Sequence, residues 1–460
     1  MKKYKQLLYV FLIFFNLFVG REAFGQKQKL LNVGVARIDI TPETPVRLTG
    51  YSNRDDPFTS IHHRLWAKAL AFGNESKNYS VLITVDLLGI PHKITEKVRD
   101  ELAKEIGLSP ANLSICASHT HSGPQIGNIV SHFHKPLSPD ELADITLFAM
   151  GLVPKLKEVA LEAIKTASPS MVSWGQGKVD FAINRRTSIN PNGVTDHSLP
   201  LMRVRSEDGK DKAVLVSYAC HAVTLGPKNN TVHGDWVGEA QLQIEANLEP
   251  GAIAMVAIGC GADQNSNPRM NTENPEMDLE YARNQGKSIA DEVNRILSDE
   301  TLTPLNHLPK AKLKYVELTF AEVPDPKKLA EDAKGSGRTS NYSQLLLSRM
   351  ARSEDIPEKI SYPIQVWDFG KELAMVFLAG EVVVDYSLRL KREIGADRLW
   401  VNSYANDMPC YIPSLRVLKE GGYEAETAMI GYEKPSKFTE DVEEIIMEGI
   451  YSLLPPKFKP

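Results

Sequence analysis

Six short apolar runs rich in β-branched residues set the limits on what this chain can fold into. They span residues 81–88, 113–117, 213–219, 253–258, 373–379 and 399–403. Runs this short and this uniformly apolar read as buried strands. Helical patterns alternate with them over 94–106, 139–166, 238–248, 277–297, 382–394 and 439–453. The first of these ends at Gly107, and Pro154 is expected to kink or break the second. Alternating strands and helices predict an α/β fold of layered mixed β-sheets flanked by helices. A polar stretch over 323–359, with Gly335-Ser336-Gly337 inside it, reads as an insertion or flap, or equally as a solvated connection.

The polar segments at the ends of these strands carry the functional signal. Ser118-His119-Thr120-His121-Ser122-Gly123-Pro124 comes after the second run and Cys220-His221 after the third. Gly259-Cys260-Gly261-Ala262-Asp263-Gln264-Asn265 comes after the fourth. Gly380-Glu381 and Tyr404-Ala405-Asn406-Asp407 end the last two. Ligands of α/β sheets collect outside the carboxyl ends of strands, so five polar endings point to one shared site there.

His119 and His121 form an H-x-H pair. On an extended segment residues two apart point the same way, so both imidazoles are expected to face one cavity. Three protein ligands plus a water is the usual catalytic zinc arrangement. With His221 and Glu381 at other strand ends, a metal site is one reading. A hydrogen-bonded polar cleft without metal is the other. His233-Gly234-Asp235 reads as a loop that braces the site. Cys116, Cys220, Cys260 and Cys410 border these segments and read as small buried hydrophobes. No G-x-S-x-G elbow and no phosphate-binding glycine loop succeeds a strand.

Composition excludes other classes. Hydrophobic residues make up 42% of the 460 and charged residues 24%, which suits a globular chain. Lys and Arg total 53 against 58 Asp and Glu, a formal charge of −5. An acidic body excludes a general nucleic-acid binder. Lys2, Lys3 and Lys5 precede an apolar run from Leu7 to Val19, and Ala23-Phe24-Gly25 comes next. This reads as a signal peptide over 1–25, cleaved near Gly25, and predicts a secreted or periplasmic protein.

The strand-end motifs resemble the catalytic domain of the neutral/alkaline ceramidase family. Val33-Gly34-Val35-Ala36-Arg37-Ile38-Asp39-Ile40-Thr41-Pro42 with Gly50-Tyr51 is similar to its opening segment. Ser118-His119-Thr120-His121-Ser122-Gly123-Pro124 is similar to its most specific motif. The resemblance implies that His119, His221, Glu381 and Tyr411 bind Zn2+, with Tyr404 as the competing fourth ligand. It implies catalytic roles for His121, Tyr423 and Arg185, the last within Asn184-Arg185. Tyr411 and Tyr423 keep the family's twelve-residue spacing.

Two departures accompany it. The family's G-D-x-S-P-N loop here reads Gly261-Ala262-Asp263-Gln264-Asn265-Ser266-Asn267-Pro268, so Asn265 stands in place of the serine. The family's immunoglobulin-like C-terminal domain is not expected after residue 460, which makes 26–460 one hydrolase domain. The resemblance implies a secreted zinc amidohydrolase that cleaves an N-acyl amide, ceramide or a related lipid amide, with zinc-activated water. The alternatives are a zinc hydrolase that removes acyl groups from a sugar or other polar substrate, and a non-catalytic binding protein on the same fold. The expected partner is a small molecule or lipid, compatible with peripheral membrane contact. No protein partner is inferable.

Overall fold

The structure is a computed structural model that describes residues 28–73, 79–127, 129–130, 137–271, 273–299 and 301–458. The expected signal peptide lies outside them. The larger sheet is built from β1 (Leu31–Asp39), β2 (Trp66–Phe72), β3 (Ser80–Val85), β4 (Leu113–Ala117), β5 (Ser168–Lys178), β6 (Ser198–Ser206), β7 (Asp211–Tyr218) and β8 (Ile253–Ile258). Their spatial order is β8-β7-β6-β5-β1-β2-β3-β4, and β9 (Thr303–Leu305) adds to β5. Two pairs are parallel, β3 with β4 and β7 with β8; the rest are antiparallel. Parallel neighbours need a long crossover. α1 (His92–Ile106) supplies it between β3 and β4. After α2 (Pro139–Lys165), α3 (Asp235–Ala246) supplies the other.

A second mixed sheet has the order β10 (Lys310–Thr319), β11 (Lys359–Asp368), β12 (Ala374–Leu378) and β13 (Leu399–Asn402). The sheets meet through Leu70, Leu82, Leu215 and Met255 on one side and Trp367, Met375, Phe377 and Trp400 on the other. α2 covers the outer face of β1 and β2. After α4 (Glu276–Ser298), α5 (Pro326–Asp332), α6 (Arg338–Ala351), α7 (Asp385–Ile394) and α8 (Leu415–Glu420), the last helix, α9 (Val442–Leu453), covers β10 and β11. The layers therefore run helix, sheet, sheet, helix, as the alternating pattern predicts.

Some boundaries differ from the sequence reading. β3 stops at Val85, where the chain turns and Leu87 N–H donates to Val85 O at 2.9 Å. α2 is not broken at Pro154, because Leu152, Leu156 and Val159 are buried on both sides of it. α7 starts at Asp385 rather than 382, because Glu381 and Val382 pair with Tyr411 and Ile412 in a short parallel ladder. α9 starts at Val442 rather than 439, because Thr439 N–H is taken by Thr319 O.

Residues 323–359 hold α5 and α6 between β10 and β11, which pair along their whole length. Leu329, Tyr342 and Leu346 form a small core there with Ile430, and the Tyr342 hydroxyl donates to Lys434 O.

Candidate metal centre and substrate cleft

β4 delivers His119. Its five residues are buried, and Ser118 N–H continues the ladder to Val85 O at 2.9 Å. His119 then turns the chain through a left-handed conformation, φ 54°. Few non-glycine residues adopt it, and such strain gathers at functional sites. The His119 ring meets the Leu88 carbonyl through Nδ1 at 2.8 Å. His221, just beyond β7, meets the Gly261 carbonyl through Nδ1 at 2.7 Å. A carbonyl only accepts, so both Nδ1 atoms carry protons, and in the neutral tautomer both Nε2 atoms present lone pairs.

Glu381 stands between those lone pairs. Its Oε2 lies 3.3 Å from His119 Nε2 and 3.0 Å from His221 Nε2. Gly380 makes this approach possible: φ is 73°, and a Cβ there would sit 2.5 Å from Cys410 O. Tyr432 donates its hydroxyl to the other carboxylate oxygen, Oε1. Tyr411 Oη lies 3.4 Å from His221 Nε2 and accepts from Arg185 Nη2 at 3.0 Å. Burial, reinforced by Arg185, pushes the His221 pKa down to about 4, so the ring is neutral at pH 7. Two imidazole nitrogens, a carboxylate oxygen and a phenol oxygen thus converge, a donor set that fits Zn2+. Without a cation their lone pairs would repel one another.

His121 completes the group. Its Nε2 is 3.3 Å from His119 Nε2, and its Nδ1 has no hydrogen-bond partner. Burial, then the neighbouring His119 and His221, hold its pKa well below the usual histidine value. Gly50 fits against this ring, where a Cβ would lie 2.3 Å from Nδ1, and the Tyr51 ring centroid is 4.9 Å away. The two imidazoles converge as expected, but the reason differs. The segment is turned at His119, not extended.

Above this floor opens a cleft of about 420 Å³, lined among others by His121, Arg185, Asn265, Arg269, Tyr411 and Tyr423. The Arg185 guanidinium lies 5.5 Å and 5.4 Å from the ring centroids of Tyr411 and Tyr423. Its Nε donates to Glu424 Oε1 at 2.7 Å. Tyr423 is 44% exposed and sits at the mouth. Asn265 comes from a short strand, Gln264–Ser266, paired with Ala182–Asn184. Arginine only donates, so the amide is assigned with its oxygen toward Arg269, 3.2 Å from Nε and 2.8 Å from Nη2, which turns the amide nitrogen the other way. Ser266 is turned away and its hydroxyl bonds to Thr224 Oγ1 at 2.9 Å. A larger groove of about 830 Å³ near Asn229 and Arg283 contains none of these residues.

The remaining sequence candidates fall into supporting places. Tyr404 packs against the His119 ring, ring centroids 4.2 Å apart, and its hydroxyl has no partner among the described residues. His233 braces the H-T-H turn: its carbonyl accepts from Thr120 Oγ1 at 2.8 Å. His63, His233 and Glu239 form a second polar trio. There His233 Nδ1 accepts Asp235 N–H at 2.9 Å, so Nε2 holds the ring proton and offers no lone pair. The four cysteines are buried free thiols. Sequence reasoning misses Tyr432, Glu424 and Arg269. Glu424 is visible beside Tyr423 in Gly421-Gly422-Tyr423-Glu424, and Arg269 soon after the Asn265 loop; Tyr432 has no local signal.

With the geometry in place, the comparisons with known proteins decide the family. The sequence profile of the neutral/alkaline non-lysosomal ceramidase N-terminal domain matches residues 31–267, just over half of the chain. The chain belongs to this family. Neutral ceramidase from Drosophila pseudoobscura pseudoobscura is 25% identical over 268 residues, covering 53% of this chain and 36% of the relative. Neutral ceramidase from Mycobacterium tuberculosis is 26% identical over 318 residues, covering 63% and 49%. The crystal structure of neutral ceramidase from Pseudomonas aeruginosa superposes with a TM-score of 0.69 at 18% identity, over 91% of this chain and 72% of that one. This likeness speaks for the fold. The chain spans about a third to a half of the length of these sequence relatives. The matched ceramidase segment holds His119, His121, Arg185, His221 and Asn265. Glu381, Tyr411 and Tyr423 lie beyond it, and the fold brings them to the same cleft.

Proposed function

We propose that this ceramidase-family chain is an exported zinc-dependent amidohydrolase that cleaves an N-acyl amide. One observation carries the reading: the Nε2 atoms of His119 and His221, whose Nδ1 atoms are taken by backbone carbonyls, meet a carboxylate oxygen of Glu381 within 3.3 Å. A dication would hold these three donor atoms together. His119, His221, Glu381 and Tyr411 are its holders in this reading. Zinc, when bound, lowers the pKa of a coordinated water to about 7 and so supplies a nucleophile at neutral pH.

The chain's own residues then divide the work. His121 is neutral, borders the donor set and faces the cleft, which suits it to take a proton from water and return it to the leaving amine. The Asn265 amide nitrogen and the Tyr423 hydroxyl suit the carbonyl oxygen as charge develops there. Arg185 holds Tyr411 by hydrogen bond and Tyr423 by its face. The basic and apolar N-terminus supports export, which mass spectrometry of native material tests through cleavage near Gly25. Metal analysis tests the centre. Wild type should hold one zinc per chain, His119→Ala should lose it, and His121→Ala should keep it while turnover falls by about 10²–10⁴-fold. Full activity in metal-free protein would refute the proposal.

The polar lining favours a second reading of the substrate. Arg185, Arg186, Arg269 and Glu424 border the cleft beside Ile189, Val223 and Met270. A hydrolase acting on a polar acylated compound fits this lining as well as a ceramide-like lipid does.

A further inference from the structure

We propose that the cleft recognises an anionic oxyacid group on the amine side of the scissile amide, with Arg269 as the specificity-determining residue. The inference rests on the amidohydrolase reading and names its substrate class.

The charges around the cleft do not balance. Arg185 and Arg186 share Glu424, at 2.7 Å and 2.5 Å, and Arg186 also reaches Glu420 at 3.1 Å. Arg269 has no such partner. Among the described residues no carboxylate lies within ion-pair distance of it, and its neighbours are the Asn265 amide and the Met270 sulfur. Burial, with Arg185 nearby, makes its charge harder to hold than in water. Against the Tyr51 ring, Arg54 is 3% exposed and likewise lacks a carboxylate partner among the described residues. It donates to His121 O at 2.6 Å, while its Nε and Nη1 have no partner. A bound dication would add to this positive field.

Arg269 is half-buried, so its guanidinium has lost part of its water without gaining an anion, and planar oxyanions match it with two parallel hydrogen bonds. A ceramide amide carries no charge and would leave Arg269 unanswered. An N-acylated amine bearing a carboxylate or phosphate would answer it. The position of Arg269 sets where that group lies. Its guanidinium touches Asn265, whose amide nitrogen faces the carbonyl to be cleaved, so the anion sits within a few bonds of the amide nitrogen. One guanidinium thereby links recognition to the orientation of Asn265.

The test uses the full zinc-loaded protein and three substrates with one acyl chain: N-dodecanoylglycine, N-dodecanoyl-O-phosphoethanolamine and neutral N-dodecanoylethanolamine. Wild type should prefer an anionic substrate in kcat/KM, and the first two arms separate carboxylate from phosphate. Arg269→Gln should slow all three through Asn265. It should lower the anionic-to-neutral ratio by at least about 30-fold, mainly through KM. Arg269→Lys should restore part of the ratio. A ratio unchanged in Arg269→Gln, or a wild-type preference for the neutral amide, overturns the proposal. Calorimetry with 4-oxopentadecanoate, an uncleavable ketone isostere of N-dodecanoylglycine, separates the two readings. Binding that depends on Arg269 in a protein that cleaves no amide would uphold the subsite and refute the hydrolase. Turnover without anion preference would do the reverse.

Discussion

Glu381 and Tyr411 are register partners in a two-residue parallel ladder. Paired residues of a ladder project to the same face, so one pairing brings a carboxylate and a phenol to His221 together. Tyr404 approaches differently, ring against ring with His119. Tyr411→Phe should therefore weaken zinc binding by at least about 10-fold, the least that loss of a supporting group costs. Tyr404→Phe should leave zinc affinity unchanged. Competition with a fluorescent chelator measures both. The opposite pattern would make Tyr404 the fourth ligand.

Gly50→Ala should slow turnover by about 10²-fold without removing metal. The added Cβ would sit 2.3 Å from His121 Nδ1, and the residue's φ of 99° is unfavourable for alanine. His121 must move. A displacement of about 1 Å in a catalytic group costs on the order of 10²-fold in rate. Zinc content and kcat measured on the same preparation check this. A fully active Gly50→Ala variant would show that His121 is not the proton carrier.

Acid should loosen the segment that leads to Gly50. Glu141, in the first turn of α2, grips the buried Arg47 through Nε at 2.6 Å and Nη2 at 3.0 Å. The hydrogen bond from Arg47 holds the Glu141 pKa at about 2, against 4.5 ordinarily. The folded value lies below the unfolded one. The contribution is therefore full above pH 4.5 and disappears as pH falls toward 2. Thermal melts of wild type and Glu141→Gln should differ at pH 7 and converge across that window. A constant gap down to about pH 2 would contradict the ion-pair account.

The parts legible in the sequence are those with a local signal. β4, β8 and β13 are continuous apolar runs because both faces are buried, and the sequence shows them plainly. β10 mixes exposed Lys310, Lys314 and Glu317 with buried Leu318, and β5 begins with exposed Ser168 and Pro169, so neither announces itself as a strand. The site divides the same way. His119, His121, His221 and Glu381 stand directly after recognisable strands. Tyr432 reaches Glu381 from a short turn far along the chain, and only the tertiary fold reveals it. Arg269 escapes a sequence reading because a lone arginine in a loop is ordinarily solvated. Its significance comes from the carboxylate it lacks.

Asn265 and Ser266 give opposite predictions from adjacent positions. Asn265 borders the cleft, and Arg269 fixes its amide so that the nitrogen is free for a developing oxyanion. An amide nitrogen has a delocalised lone pair and is no useful nucleophile, so the residue can only assist. Asn265→Ala should slow kcat by about 10²–10³-fold and leave a residual rate. Ser266 is 1% exposed, and its hydroxyl belongs to a chain running through Thr224 Oγ1 to Gln285 Oε1. Ser266→Ala should cost about 1 kcal/mol of stability, the usual worth of a buried hydrogen bond, and leave kcat alone. Rapid mixing on a good substrate should show no burst of product, because the Ser266 hydroxyl is turned to Thr224 and is not placed to form an acyl-enzyme. A burst that disappears in Ser266→Ala would mean that the strand shifts by one residue during turnover and presents Ser266 to the cleft. That outcome would replace water by a serine as the attacking group.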